Sequence, residues 1–375
     1  MGIAPWLYIF AGFCVTVHLA GIGLALVALW RKPAGGPALL PPVTVLRPIC
    51  GLEPFLEETL TTTFQADYPR FELIFCAADP ADPAIALVER LIARHPGVAA
   101  RILTGDDKVS GNPKLNNLVK GWKAARHDHI LMSDSNVLLP PDCLRRCMAE
   151  FTPQTGLVSS PPIGIRPDGF WGRVECAFLN TFQARWQMAA QAMGHGYAQG
   201  KMLFWDRRVL DAAGGIAVLG REMAEDVAST KVVRAAGKVV RLPGRFFEQP
   251  IGRRPGPAVW GRQVRWAKVR RLGFPLLFLP EILAGAALPT LAMLALLATG
   301  APLWTLPAYL ILWYGAEYGL ALAGNWPRSP QDIVAWIARD ALLPVLWLAA
   351  WRGNSFEWRG NAMSATDVRA KGPTQ

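Results

Sequence analysis

The chain has 375 residues, of which 52% are hydrophobic and 18% charged, and its net charge is +11. Soluble domains carry roughly a quarter of their residues as charges, so this composition excludes a disordered chain and a protein that is water-soluble throughout. The apolar excess gathers at both ends and leaves a middle of ordinary globular composition, which reads as a membrane protein with one soluble domain.

The basic residues cluster beside the apolar segments, so an anionic lipid surface suits them. No nucleic-acid-binding motif accompanies the charge, which argues against a nucleic-acid partner. The cysteines, at 14, 50, 76, 143, 147 and 176, are dispersed in mostly apolar contexts. Cys143 and Cys147 have no second pair and no nearby histidine, so the spacing predicts reduced thiols and no zinc site.

Residues 5–30 carry no charged group apart from His18. About 20 apolar residues suffice to span a bilayer. Arg31 and Lys32 follow this run, so the positive-inside rule predicts that the chain enters the cytoplasm there. A linker rich in proline and glycine covers 33–42. Strands are then expected at 43–46, 71–78, 101–103, 129–133 and 156–160. Helices are expected at 55–64, 83–94, 113–125 and 141–151, the second from its apolar stripe Ile85, Val88, Leu91 and Ile92. Strands alternating with helices predict a largely parallel sheet covered on both faces, which binds ligands beyond the carboxyl ends of its strands.

Three further apolar stretches lie at 274–298, 303–323 and 333–351, preceded by seven arginines and lysines between Arg253 and Arg271. The first two form a helical hairpin and carry one acid each, Glu281 and Glu317. The third contains Arg339 and Asp340, which are costly in lipid and must pair facing the bundle or lie at the interface. The expected organisation is an N-terminal membrane helix over 1–32, a cytoplasmic domain over 43–272, two to three spans over 273–352 and a polar tail over 353–375.

Within the middle domain, Asp79 and Asp134 each end a strand. Asp79 precedes Pro80 and reads either as a turn residue or as an acceptor for a nucleobase or ribose. Asp134 reads as a cap or as a ligand for a divalent cation that neutralises a diphosphate. Asn112, Pro113, Lys114, Asn116 and Asn117 crowd a helix N-terminus, a place suited to phosphate, with Lys114 adding charge. Glu225 and Asp226 are either an exposed acidic pair or the source of a general base. Arg262, Arg265 and Trp266 precede the membrane stretches and suit a diphosphate and a sugar face, or plain anchoring.

Taken in order, the segments 43–51, 76–84 and 111–117, Asp134-Ser135, Ala224-Glu225-Asp226 and Arg262-Gln263-Val264-Arg265-Trp266 resemble glycosyltransferase family 2 and its relatives of GT-A fold. They resemble above all family 21, the ceramide glucosyltransferases and their bacterial relatives. The resemblance implies an α/β GT-A fold, Rossmann-like with a mostly parallel sheet, flanked by N- and C-terminal transmembrane helices. It implies that Asp79 binds the uridine of a UDP-sugar, that Asp134 helps hold Mg²⁺ or Mn²⁺ and the diphosphate, and that Asp226 is the catalytic base. Lys114, Arg262, Arg265 and Trp266 would complete the donor and acceptor sites, and transfer would invert the anomeric carbon. UDP-glucose and ceramide are the first expectation for donor and acceptor. UDP-galactose or UDP-N-acetylglucosamine, and a hopanoid or diacylglycerol lipid, are the alternatives. The rival of another class is a non-catalytic, lipid-binding membrane protein. The expected location is a bacterial inner membrane.

Overall fold

A computed structural model of the chain describes residues 2–358 and 361–364. In chain order the elements begin with helix α1 (Ala4–Leu29). Then follow β1 (Val43–Ile49), α2 (Leu56–Phe64), β2 (Phe71–Ala77), α3 (Ala84–Arg94), β3 (Ala100–Thr104), α4 (Pro113–Ala124), β4 (His129–Ser133), α5 (Cys143–Met148) and β5 (Thr155–Ser159). Next come β6 (Pro162–Asp168), α6 (Gly169–Ala177), a π-helix (Phe178–Ala184), α7 (Arg185–Ala192), β7 (Met202–Asp206), α8 (Arg207–Ala212), α9 (Glu225–Ala235), β8 (Val239–Arg241) and β9 (Phe247–Arg253). The last are α10 (Gly256–Gly273), α11 (Pro275–Phe278), α12 (Ala287–Ala298), α13 (Thr305–Ala323), α14 (Pro330–Ala350) and the hairpin β10 (Ser355–Trp358) and β11 (Asn361–Ser364).

The chain divides into two compact units. One comprises Met1–Trp30, Ile163–Met193 and Ile251–Gly353; the other comprises Arg31–Pro162, Gly194–Pro250 and the described residues after 353. Residues 163–193 and 251–272, read from the sequence as part of the soluble domain, therefore cluster with the terminal helices.

The second unit is a mixed α/β layer structure around a seven-stranded sheet of order β3-β2-β1-β4-β7-β5-β8. The β1–β2, β1–β4, β2–β3 and β5–β8 pairs are parallel, as the alternation of strands and helices predicts. Strand β1 is interior and covered on both faces, so it is mostly apolar without alternating, with Thr44 and Arg47 as its buried polar residues. The stripe of α3 turns Ala84, Leu87, Val88 and Leu91 into the core. Strand β7 was not anticipated. It runs antiparallel between β4 and β5, pairing Ser133 with Met202 and Ser159 with Leu203. Its sequence, Met202 to Trp205, is apolar throughout because it too is buried on both faces.

The other unit holds three helical stretches long and apolar enough to cross a membrane: Ala4–Leu29, Pro275–Ala298 and Pro330–Ala350. The stretch expected at 303–323 is helix α13, but its tyrosines, Pro307 and Glu317 make it less apolar and it is not among the three. Of the charges noted inside these stretches, Glu317, Arg339 and Asp340 meet in the interior, while Glu281 pairs with Arg270 at 2.9 Å. Arg339 donates to both oxygens of Glu317 at 2.9 and 3.1 Å and to Asp340 at 2.9 Å, and also to Thr181. Arg185 approaches Glu317 at 3.7 Å and His18 at 2.8 Å, and His18 stacks on Trp313. Arg339 and Asp340 thus pair and face inward, one of the two arrangements the sequence left open. Helix α14 opens with a capping box of Ser329 and Asp332, and Asp332 also accepts from Arg173 at 2.6 Å. Arg359, Arg369 and Lys371, basic residues that follow the last apolar stretch, lie outside the described residues.

Candidate active site

The carboxyl edge of the sheet carries the chemistry. Asp134 follows the last residue of β4, and its backbone N–H donates to the Lys201 carbonyl at 3.0 Å, which continues the β4–β7 ladder by one residue. Directly opposed residues in a sheet interact strongly, and here the opposition sets a lysine beside an aspartate. Lys201 Nζ lies 3.0 Å from Asp134 Oδ2 and donates to Asn136 Oδ1 at 3.0 Å. Lys114 Nζ lies 2.6 Å from Asp134 Oδ1. Burial pushes the Asp134 carboxyl up, but Lys114 and then Lys201 outweigh it and hold the group well below the usual carboxylate range.

Lys114 is tied in three directions. Besides Asp134 it meets Glu225 Oε1 at 2.6 Å and donates to the Gly200 carbonyl at 2.5 Å. An ammonium has three donors, so these contacts fix its position. Burial pulls its pKa down, yet Asp134 and Glu225 raise it overall, so the lysine stays charged.

The helix start that bears Lys114 is closed rather than open. Asn112 caps α4 by accepting from the Lys114 and Leu115 N–H groups, and its amide donates to Glu225 Oε2 at 2.8 Å. Asn116 and Asn117 bond the Val109–Ser110 backbone and the Cys76 carbonyl. The backbone donors expected to meet phosphate are thus occupied, and α4 presents an ammonium instead.

Asp226 sits in the first turn of α9. Its oxygens accept from the Val227 N–H at 2.7 Å and the Gly200 N–H at 3.1 Å. Burial, then the neighbouring Glu225 carboxylate, raise its pKa to about 6 against the pull of these N–H groups and Lys114. A base poised near the working pH is what proton abstraction requires. A Cβ at Gly200 would stand 2.9 Å from Glu225 Oε1 and would push on the carboxylate that holds Lys114.

The loop carrying Asp134 is held from beneath. Arg47, fully buried in β1, donates to Ser133 Oγ at 3.0 Å and to the carbonyls of Thr59, Ser135 and Val137 at 3.0–3.3 Å. Burial lowers its pKa to about 10, leaving it cationic at neutral pH. Asp79 stands exposed beyond β2, two strands from β4 in the sheet order. It forms the anticipated turn by accepting from the Ala81 N–H at 2.8 Å. The neighbouring Asp82 holds the Gly51 N–H with both oxygens at 2.9–3.0 Å, fixing the loop after β1.

Of the residues singled out in the sequence, Lys114, Asp134 and Asp226 converge on the Gly200–Lys201 peptide, and Asp79 shares their sheet edge. Arg262, Arg265 and Trp266 belong to the other unit, on α10. There Arg262 bonds the buried Glu175 at 2.5 Å, and Trp266 packs against a cluster of Cys176, Leu179 and Ile251. Sequence reading missed Lys201, Gly200 and Arg47. The first two precede an apolar strand by one and two residues, the only local signal, and Arg47 interrupts an apolar run with a charge.

Among the described residues no group of three or more His, Cys, Asp or Glu is arranged to hold a metal ion. Each oxygen of Asp134, the carboxylate the resemblance assigns to a divalent cation, already faces an ammonium. A cation fits only by displacing one of the two lysines.

Comparison with known proteins bears on the chain as a whole. The profile of glycosyl transferase family 21 matches residues 13–370. Ceramide glucosyltransferase 1 of Caenorhabditis elegans is 27% identical over 94% of this chain and 78% of its own length. A ceramide glucosyltransferase of Komagataella phaffii is 33% identical over 59% of this chain and 49% of its own. In fold the chain is similar to a mannosyltransferase from Pyrobaculum calidifontis solved with GDP-Man and Mn²⁺. That likeness has a TM-score of 0.54 and 18% identity, and it covers 92% of this chain and 97% of that one.

Proposed function

The chain belongs to glycosyl transferase family 21, and from that membership we propose that it is a membrane-associated enzyme moving a sugar, glucose first, from a UDP-sugar to a ceramide-like lipid. The observation that carries the proposal is the Asp226 carboxylate, held by two backbone N–H groups with its pKa near 6, beside the lysine-flanked Asp134.

In this reading Asp226 takes the proton of the lipid hydroxyl as its oxygen bonds to the anomeric carbon. The bond from that carbon to the diphosphate oxygen breaks, and its electron pair leaves with UDP. Attack from the face opposite the leaving group inverts the anomeric centre. Lys114 faces the charge that develops on the diphosphate, where fixed cations are most effective. Glu225 and Asn112 keep Lys114 in place, and Arg47 keeps the Asp134 loop in place. Asp79 is assigned to the uridine, and Arg262, Arg265 and Trp266 to the diphosphate and acceptor. A divalent cation, Mg²⁺ or Mn²⁺, would add charge neutralisation at Asp134 once a lysine yields its place. The flanking charges at Arg31, Lys32 and Arg253–Arg271 support a catalytic unit on the cytoplasmic side, in a bacterium at the inner membrane.

The test is release of UDP from UDP-glucose by the detergent-solubilised chain given ceramide, together with lipid mass spectrometry of cells with and without the gene. A hexosylceramide that depends on the gene is the expected product. A hexosylated hopanoid or diacylglycerol would replace the acceptor, an N-acetylhexosamine mass would replace the donor, and no product from any pair would return the chain to the non-catalytic class.

A further inference from the structure

The Asp134 site contains one ammonium more than the sequence motifs account for. Lys201 comes from β7, the strand the sequence did not disclose, and the β4–β7 register forces it alongside Asp134. Its side chain is 17% exposed, against 11% for Lys114, and it is held between Asp134 Oδ2 and Asn136 Oδ1 at 3.0 Å each. Lys114 is bound on three sides and cannot turn without abandoning Glu225 or the Gly200 carbonyl.

The charges decide what else the site can take. Lys114 and Lys201 face Asp134 and Glu225, so each of these carboxylates already has an ammonium before any donor arrives. A dication on either Asp134 oxygen would stand within about 4 Å of an ammonium, where like charges repel strongly in a partly buried setting. Of the two lysines, Lys201 is the more exposed, so it is the one a cation would displace.

We propose that Lys201 occupies on Asp134 the position a divalent cation would take, so that Lys201 receives the donor's diphosphate beside the fixed charge of Lys114 and a cation competes with Lys201 for this carboxylate. The proposal rests on the UDP-sugar reading above. It assigns to Lys201 a donor-binding role and makes the cation dispensable for donor binding in the native chain.

The experiment measures UDP binding by calorimetry on the full chain in detergent, once in EDTA and once in Mn²⁺, with Mn²⁺ occupancy followed separately by electron paramagnetic resonance. The native chain is expected to bind UDP equally in both buffers and to hold Mn²⁺ weakly. Lys201→Met is expected to bind UDP about tenfold more weakly in EDTA, the loss of one charge-assisted hydrogen bond, and to recover it in Mn²⁺ while gaining Mn²⁺ occupancy. Lys201→Arg, which keeps the charge, should behave as the native chain, and a matched thermal melt guards against a folding defect. Native binding that collapses in EDTA, or a Lys201→Met variant indistinguishable from native in both buffers, would overturn the proposal. If the native chain binds no UDP in either buffer, the donor reading itself fails, a result that a wrong role for Lys201 alone cannot produce.

Discussion

Two clusters of buried charge sit in this chain, and they are built to opposite ends. The cluster among the helices unites Arg185, Arg339, Glu317 and Asp340, with side chains 1–3% exposed and two charges of each sign. The cluster at the sheet edge unites Lys114 and Lys201 with Asp134, Glu225 and Asp226, and its ion-paired side chains are 8–21% exposed. The first is closed and balanced, which is the condition for charge to persist in an apolar surrounding. The second is open on one side and carries an excess acid whose pKa is displaced towards neutrality. Balance yields a structural tie; a maintained imbalance yields a group ready to take a proton.

Breaking each cluster should therefore damage different properties. The largest effect is expected from Asp226→Asn, which removes the base: transfer should fall roughly 10²–10⁴-fold while UDP affinity and the melting temperature stay near native. Undiminished turnover would move the base elsewhere. Next, Arg339→Ala leaves Glu317 and Asp340 buried with one cation fewer and should cost about 3–5 kcal/mol of stability, read as lost thermal stability in detergent. The paired change Arg339→Met with Glu317→Gln removes one charge of each sign and should recover much of that loss. If the pair is as damaging as the single change, charge balance is not what holds these helices. Smaller again, Lys114→Met should weaken UDP binding about tenfold to a hundredfold; unchanged calorimetric affinity would remove Lys114 from the donor site.

The smallest effect sharpens the comparison most. Asp226 must be unprotonated to act, so kcat/KM should rise with pH through a midpoint of about 6. Below that pH the carboxyl already bears its proton and cannot accept another. Glu225→Gln removes the like charge that helps raise this pKa, so the acid limb should move to lower pH. A limb that stays in place, or moves upward, would show that Glu225 does not set the proton affinity of Asp226.

How much of this was legible depended on range along the chain. Strands β1 to β5 and helices α2 to α4 lie within a few residues of their expected bounds, because apolar runs, the α3 stripe and Pro113 at a helix start are local signals. The exception was the segment expected to be helical over 141–151, which narrows to Cys143–Met148. Asp134 and Asp226 were recognisable because each closes or opens an element, and their order along the chain resembles that of a family. Lys201 was not, since a lysine before an apolar strand resembles any solvated charge until the strand's partner is known.

The sequence by itself determined the apolar ends, the alternating α/β middle and the acids at its strand and helix ends, since segment length, periodicity and flanking charge act within a few residues of the chain. Only the tertiary structure decided that β7 enters the sheet antiparallel beside β4, that Lys201 therefore lies against Asp134, and that Arg339 meets Glu317. Those pairings join residues 67 and 22 positions apart, and they are chosen by which buried charges can satisfy one another in space, a condition that no local pattern records.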